Sequence, residues 1–295
     1  MGARRVVTVV TALGLVAAFG YWLGHRQPEP RPPETPPLGC AVEAGGVVHL
    51  DHEQMANAAT ITAVGVSLGM PDRAVVVALA TAMQESKLYN LPHLGAYNDH
   101  DSVGLFQQRP SQGWGTEEEV SDPRYASRQF YLALQDVPGW EEMRVTDAAQ
   151  RVQRSAFPEA YERWADDAQV LATALLGHEP GAVNCRVPDQ PPVAGETAAS
   201  ALGRLLTLDW GDQASVALAD PPGVTVSASG VAAGWRYAHW LVSHAAEHGV
   251  TRVHFGDLEW TAAASTWSPA DAAIDHVHAE VAGEVAGDPV ADNPA

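Results

Sequence analysis

Hydrophobic and polar positions predict two consecutive helices near the start of the chain. Small apolar residues recur at helical spacing over 52–68, and Gly69 follows them. Pro71 suits the first turn of a second helix, predicted over 72–87. Because the middle of this second segment is apolar on nearly every side, we expect it to be a central, buried helix.

Glu85 falls in the last turn of the second helix. A carboxylate there faces the negative end of the helix dipole, and apolar neighbours such as Met83 would desolvate it, so its pKa should rise. A general acid needs such an environment because it must keep its proton near neutral pH. The alternative is an ordinary solvated glutamate at a helix end.

A different pattern follows the proline-rich stretch at 187–195, with short β-like runs around one helix. We therefore predict the α+β class: a mainly helical domain at 40–185, a linker at 186–198 and a small α+β domain at 199–284, followed by a flexible tail at 285–295. The predicted elements of the second domain are strands at 215–219, 224–227, 251–255, 258–262 and 276–281 and a helix at 232–248.

The N-terminus predicts export of everything that follows it. Residues 6–24 carry no charge and are close to the length that spans a bilayer, and Arg4 and Arg5 precede them, which favours a cytoplasmic N-terminus. We expect an uncleaved anchor over 1–25 and a single-pass membrane protein; a cleaved signal peptide, giving a secreted protein, is the alternative. Six prolines in 27–38 predict a semi-rigid linker over 26–39.

Charge and cysteine content narrow the possibilities further. The net charge is −19, which repels phosphate backbones and argues against a nucleic-acid partner. Cys40 and Cys185 are the two cysteines, and in an exported protein an even count suggests a disulfide; two free buried thiols are the alternative.

A glycine-rich stretch follows Glu85 by about twenty residues. It reads Gly104-Leu105-Phe106-Gln107, and the triplet Gly-Trp-Gly at 113–115 comes soon after. Two glycines beside an aromatic ring suggest a chain pressed against a flat ligand, although an ordinary turn has the same composition.

Glu85-Ser86 together with the Ser-Val-Gly-Leu-Phe-Gln run at 102–107 resembles the soluble lytic transglycosylase and goose-type lysozyme group of the lysozyme-like superfamily. The segments at 122–132 and 148–158 are similar to later helices of that group, and the wording Ser-Ala-Phe-Pro-x-Ala-Tyr suggests an actinobacterial or phage-associated branch. The resemblance covers about residues 50–178. The Tyr-Asn pair that the group carries in its last matching helix is absent here.

This resemblance implies cleavage of the β-1,4 bond between N-acetylmuramic acid and N-acetylglucosamine in peptidoglycan, without a cofactor. Glu85 would be the general acid and then the base. The implied substrate-binding residues are Ser102, Gly104, Gln107, Gln108, Trp114, Gln153 and Tyr161. The implied partners are glycan strands, the membrane through the N-terminal helix, and other cell-envelope proteins.

Most glycosidases use a second carboxylate, and the candidates are Asp99, Asp101 and Asp122. If none faces Glu85, the sugar's own 6-hydroxyl can attack and give a 1,6-anhydro end. We favour this lytic transglycosylase outcome over hydrolysis. A non-catalytic wall-binding or scaffold protein that keeps the cleft is the alternative from another functional class.

Histidines cluster in the second predicted domain. His276 and His278 alternate on a predicted strand and would share a face, as zinc ligands can. The region loosely resembles relatives of zinc D-alanyl-D-alanine carboxypeptidases, but the His-x-x-Gly-x-x-x-x-Asp half of that site is missing. We therefore expect no metal here and favour attachment to the wall or to a protein.

Overall fold

The computed structural model of the protein describes residues 38–93 and 101–283. The predicted anchor at 1–25 and tail at 285–295, like nearly all of the linker at 26–39, lie outside these ranges. Among the residues described, none forms a helix that is both long and apolar enough to cross a membrane. Helices and two antiparallel sheets confirm the predicted α+β class.

The helices of the described residues fall mainly in the first half of the chain. They are α1 His52–Ser67, α2 Asp72–Glu85, α3 Glu117–Val120, α4 Pro123–Gln135, α5 Val145–Gln153, α6 Ala165–Leu175, α7 Gly195–Trp210, α8 Val231–Ser243 and α9 Ala245–His248. The strands are β1 Gly39–Glu43, β2 Val47–Leu50, β3 Val183–Arg186, β4 Ser215–Ala219, β5 Gly223–Ser227, β6 Val250–Thr261 and β7 Thr266–Val281.

Helix α2 is the central helix that the sequence predicts. Every residue from Ala74 to Met83 is buried, and the helix packs against α1, α4, α5 and α6. It ends at Glu85, and the next turn places Lys87 and Leu88 in the left-handed backbone region. The chain therefore turns sharply just after the candidate acid.

A three-stranded sheet with the order β2-β1-β3 joins the two ends of the segment 39–186. Its short strands were not predicted. Cys40 lies directly opposite Cys185 in the β1–β3 ladder, and a disulfide joins them, as predicted. On the chain-entropy model, a bond that closes so long a loop stabilises the fold by up to about 5 kcal/mol.

The second sheet has the order β4-β5-β7-β6 and is covered by α7 and α8. The predicted strands at 251–255 and 258–262 are wrong as separate elements, because β6 runs unbroken from Val250 to Thr261. Gly256, between the two predicted strands, sits at a pair of register shifts within the β6–β7 ladder. Strand β7 also begins earlier than predicted, at Thr266 rather than 276.

The described residues from Leu38 onwards belong to one compact unit, and one hydrophobic core runs through both halves that the sequence separates. Helix α7 begins at Gly195, within the range predicted as the linker at 186–198. Helix α1 packs directly on α7 and α8. Helix α1 is thus packed against the helices of the C-terminal α+β part.

A buried polar cluster crosses the same boundary. The Asp209 carboxylate, on α7, forms an ion pair with Arg124 of α4 at 2.5 Å. It also accepts hydrogen bonds from the Thr60 hydroxyl at 3.0 Å and from the Trp240 indole at 2.8 Å. Four helices, α1, α4, α7 and α8, are therefore tied together at one carboxylate.

Candidate active site

An open cleft of about 1040 Å³ lies at the C-terminal end of α2. Its walls come from the end of α2, the stretch 102–114, the end of α4, and the end of α5 with the loop that follows. The lining residues are Glu85, Ser102, Gln107, Gln108, Arg109, Gln112, Trp114, Ala133, Asp136, Val137, Arg151, Val152, Gln153, Arg154, Ser155, Ala156 and Phe157.

Glu85 is half-buried in this cleft, and the residue after it holds the neighbouring loop in place. The Ser86 hydroxyl lies within hydrogen-bond distance of two carbonyl oxygens, 2.8 Å from that of Leu105 and 3.1 Å from that of Ala82. The first contact joins the glycine-rich turn to the end of α2. The Glu-Ser pair therefore fixes the distance between the candidate acid and the turn.

The carboxylate of Glu85 has two hydrogen-bonding neighbours that oppose the effect of burial on its pKa. Burial raises the pKa of Glu85, while the Tyr161 hydroxyl and the Gln153 amide lower it by hydrogen bonding to the ionised form. Tyr161 donates to Oε1 over 2.5 Å. The pKa of Glu85 is raised overall, which favours the protonated carboxyl that a general acid needs.

The turn at 104–107 has a backbone that requires glycine. Gly104 has φ of +75°, and a Cβ there would lie 2.4 Å from the carbonyl oxygen of Val120. Gln107 is also left-handed, and its side-chain amide closes the turn by donating to the Gly104 carbonyl at 3.0 Å. The Gln153 amide donates to the Phe106 carbonyl at 2.7 Å, so α5 braces the same turn.

The structure brings most of the sequence-predicted site residues to the cleft. Ser102, Gln107, Trp114 and Gln153 line it together with Glu85, and so does Gln108. Gln108 is nevertheless buried, and its amide donates to the Ala126 carbonyl at 3.0 Å, so part of its role is to hold α4 against the turn.

Two predicted binding residues are not on the cleft surface. Gly104 lies within the turn, against Val120. Tyr161 is fully buried beside Glu85, and burial together with the neighbouring carboxylate raises its pKa. Both residues shape the site without lining it.

The described candidates for a second carboxylate are engaged outside the cleft. Asp101 accepts hydrogen bonds from Arg109 and from the Ser111 backbone and hydroxyl, which hold the pKa of its carboxyl well below the usual range. Asp122 caps the start of α4 by accepting from the Arg124 amide. Asp99 lies outside the described residues.

Sequence reasoning missed several residues of the cleft wall. Asp136, at the end of α4, is the second acidic residue among those that line it. Arg151 and Arg154 come from α5 and its end. Two arginines within four residues, at 151 and 154 with none of the acids that dominate the chain between them, would not by themselves have revealed a cleft position.

The histidines of the second half do not gather around a metal position. His278 lies across the ladder from His254, and His276 pairs with Asp275 at 3.1 Å. Over 38–93 and 101–283, no group of three or more His, Cys, Asp or Glu side chains could hold a metal ion.

The cleft thus combines a half-buried glutamate, a glycine-dependent turn and polar amides on an open groove, an arrangement suited to proton transfer on an extended polar chain. Comparison of the sequence with models of protein families and with curated proteins finds no match.

Proposed function

We propose that this protein cleaves the glycan strands of peptidoglycan at the β-1,4 bond between N-acetylmuramic acid and N-acetylglucosamine, with Glu85 as the general acid and base. The observation that carries the proposal is the position of Glu85: half-buried at the cleft floor, hydrogen-bonded by Tyr161, with a raised pKa. The resemblance of residues 85–86 and 102–107 to lytic transglycosylases supplies the substrate class.

In this mechanism the protonated Glu85 carboxyl gives its proton to the glycosidic oxygen as the bond from that oxygen to C1 of the muramic acid residue breaks. The ionised carboxylate then accepts the proton of the muramic acid 6-hydroxyl as that oxygen bonds to C1. The product is a 1,6-anhydro end, and no water is consumed. Asp101 and Asp122 are held outside the cleft, which favours this route over one that needs either of them.

Hydrolysis is the second candidate, and Asp136 is the observation that favours it. Its side chain lines the same cleft as Glu85 and could activate a water. Mass spectrometry of the digested fragments separates the two routes, because a hydrolysed end is heavier by one water. Asp136→Asn should reduce hydrolysis strongly, whereas it should leave anhydro-product formation nearly intact.

We place the reaction on the outer side of the membrane, with the chain anchored through its N-terminal segment. The Cys40–Cys185 disulfide supports this location because such bonds persist in oxidising compartments.

The decisive experiment measures the release of soluble fragments from purified peptidoglycan by the full chain. Glu85→Gln should lower the rate by at least about 100-fold, as expected when a general acid is lost. Glu118→Gln is the matched control, since Glu118 is exposed on α3 and does not line the cleft. Activity that survives Glu85→Gln refutes the role of Glu85, and binding without cleavage by the unmodified protein favours the scaffold alternative.

A further inference from the structure

The cleft has the opposite charge balance to the rest of the protein. The chain carries a net charge of −19, yet three arginines and two acidic residues line the cleft. Arg109 is neutralised by Asp101 at 3.0 Å. Arg151 and Arg154 are exposed and form no ion pair with any described residue, so two positive charges are free to meet a ligand.

The nearest acid along α5 is held by another arginine and acts on Arg151 only as a weaker, longer-range charge. Asp147, one turn before Arg151, is held by the Arg144 guanidinium through two contacts of 2.8 and 2.9 Å. Arg144 also reaches Glu159 at 3.2 Å. Asp147 and Glu159, near the start of α5, are therefore already paired with another arginine.

Both arginines stand where the cleft continues into a second groove. This groove, of about 460 Å³, shares Arg151, Arg154, Asp136 and Val137 with the cleft and adds Pro138 and Gln150. A chain leaving the cleft on this side would pass over the two guanidinium groups. The apolar side chains of Val137 and Pro138 lie on the same groove.

The backbone at Arg154 is unusual for an arginine. The residue caps α5 in the left-handed region with φ of +52°, where glycine is normally preferred. A side chain there costs on the order of 1 kcal/mol relative to glycine. The cost is consistent with a use for the side chain that glycine could not provide.

We propose that Arg151 and Arg154 bind carboxylates of the peptide attached to the glycan strand, so that the cleft selects peptide-bearing strands. This inference rests on the proposed function, because it takes peptidoglycan as the ligand. The peptides carry free carboxylates away from the sugar backbone. Guanidinium groups are well suited to such ligands because they can donate two parallel hydrogen bonds to one carboxylate.

The test uses three preparations of peptidoglycan strands with the full chain. The first is intact, the second has its peptide carboxylates converted to amides, and the third has its peptides removed, which leaves only the lactyl carboxylate on each muramic acid. We expect cleavage of intact strands to be about ten-fold faster than cleavage of the other two, the scale of two exposed charge pairs. The double variant Arg151→Gln/Arg154→Gln should no longer distinguish intact from amidated strands.

Arg128→Gln is the control, because Arg128 is an exposed arginine on α4 that does not line the cleft. This variant should keep the full preference for intact strands over amidated and peptide-free strands. The thermal midpoint of the double variant should stay near that of the unmodified protein. Equal rates on intact and amidated strands, or on intact and peptide-free strands, would overturn the proposal.

Failure of the proposed function gives a different pattern, in which none of the three preparations is cleaved. Co-sedimentation with insoluble intact and amidated strands then tests the inference independently. Binding that favours intact strands and is lost in the double variant supports it. Binding that ignores amidation overturns it.

Discussion

The Tyr161 hydroxyl donates a 2.5 Å hydrogen bond to Oε1 of Glu85, although 76 residues separate the two along the chain. Tyr161 is fully buried, just before the short helical turn that leads into α6, so its ring cannot swing away. The contact fixes the orientation of the carboxylate. It also stabilises the ionised form and partly offsets the effect of burial on the pKa.

Replacement of Tyr161 by phenylalanine removes this hydroxyl and keeps the ring. The pKa of Glu85 should then rise further, because the loss of a hydrogen bond to the charged form favours the protonated acid. The alkaline limb of the pH–activity profile should therefore move to higher pH, which a rate series from pH 4 to 9 would measure. An alkaline limb at the same or a lower pH would show that the hydroxyl does not lower the pKa of Glu85.

Gly104 should tolerate no side chain. Gly104→Ala places a methyl group 2.4 Å from the Val120 carbonyl oxygen on a left-handed backbone, so the turn must shift. We expect a loss of about 2–3 kcal/mol in the free energy of unfolding, measured with urea, together with a marked fall in activity. Gly113→Ala is the matched control: its φ is +86°, but its methyl group would meet nothing within 4 Å. It should cost only about 1 kcal/mol.

Local sequence patterns predicted the parts of this fold that local physics determines. The apolar run from Ala74 to Met83 indicated a buried helix, and the helix does end at Glu85. The resemblance that Glu85-Ser86 and the run at 102–107 carry implied residues that do line one cleft, although not all of them. The disulfide followed from the count of cysteines and the predicted export.

Non-local pairing was beyond these patterns. Strand β1 is short and its partner β3 is about 140 residues away, so neither has a strong periodic signal of its own. The contact between Tyr161 and Glu85 depends on the path of the loop that leads into α6, and the spacing of residues in the sequence does not reveal that path. Strand β6 continues through the register shifts at Gly256, and a glycine in a strand can mark either a turn or a bulge, so its sequence does not distinguish one long strand from two short ones.

Asp209 should stabilise the described unit as a whole. Asp209→Ala removes the 2.5 Å partner of the Arg124 guanidinium, which then keeps, among the described residues, only the ion pair with Asp122 at 3.9 Å. It also leaves the buried Thr60 and Trp240 donors without this acceptor. We expect a loss of about 3 kcal/mol in the free energy of unfolding.

Asp212→Ala is the control for this substitution, because Asp212 is an exposed carboxylate three residues later. It should change the free energy of unfolding by less than about 0.5 kcal/mol.

Since one core spans both halves, unfolding followed by tryptophan fluorescence and by circular dichroism should give one shared transition. Two separate transitions would instead support the independent domains that the sequence suggested.

His239 should make the protein sensitive to mild acid. It is fully buried on α8, where its Nε2 accepts from the Ala182 amide at 3.1 Å and its Nδ1 donates to the Ala174 carbonyl at 2.8 Å. Burial lowers the pKa of His239 to about 4 and that of His244 to about 3. Both imidazoles are therefore neutral in the folded protein at pH 5, whereas in the unfolded chain they bind protons below about pH 6.5.

The unfolded state thus gains protons first as the pH falls, so the free energy of unfolding should decrease between pH 6.5 and about 4. Each buried histidine contributes at most about 1.4 kcal/mol per pH unit over that window. His239→Gln should remove the share of this slope that His239 contributes, measured by urea unfolding at pH 7, 6 and 5. A slope that His239→Gln does not alter would show that the acid sensitivity arises elsewhere.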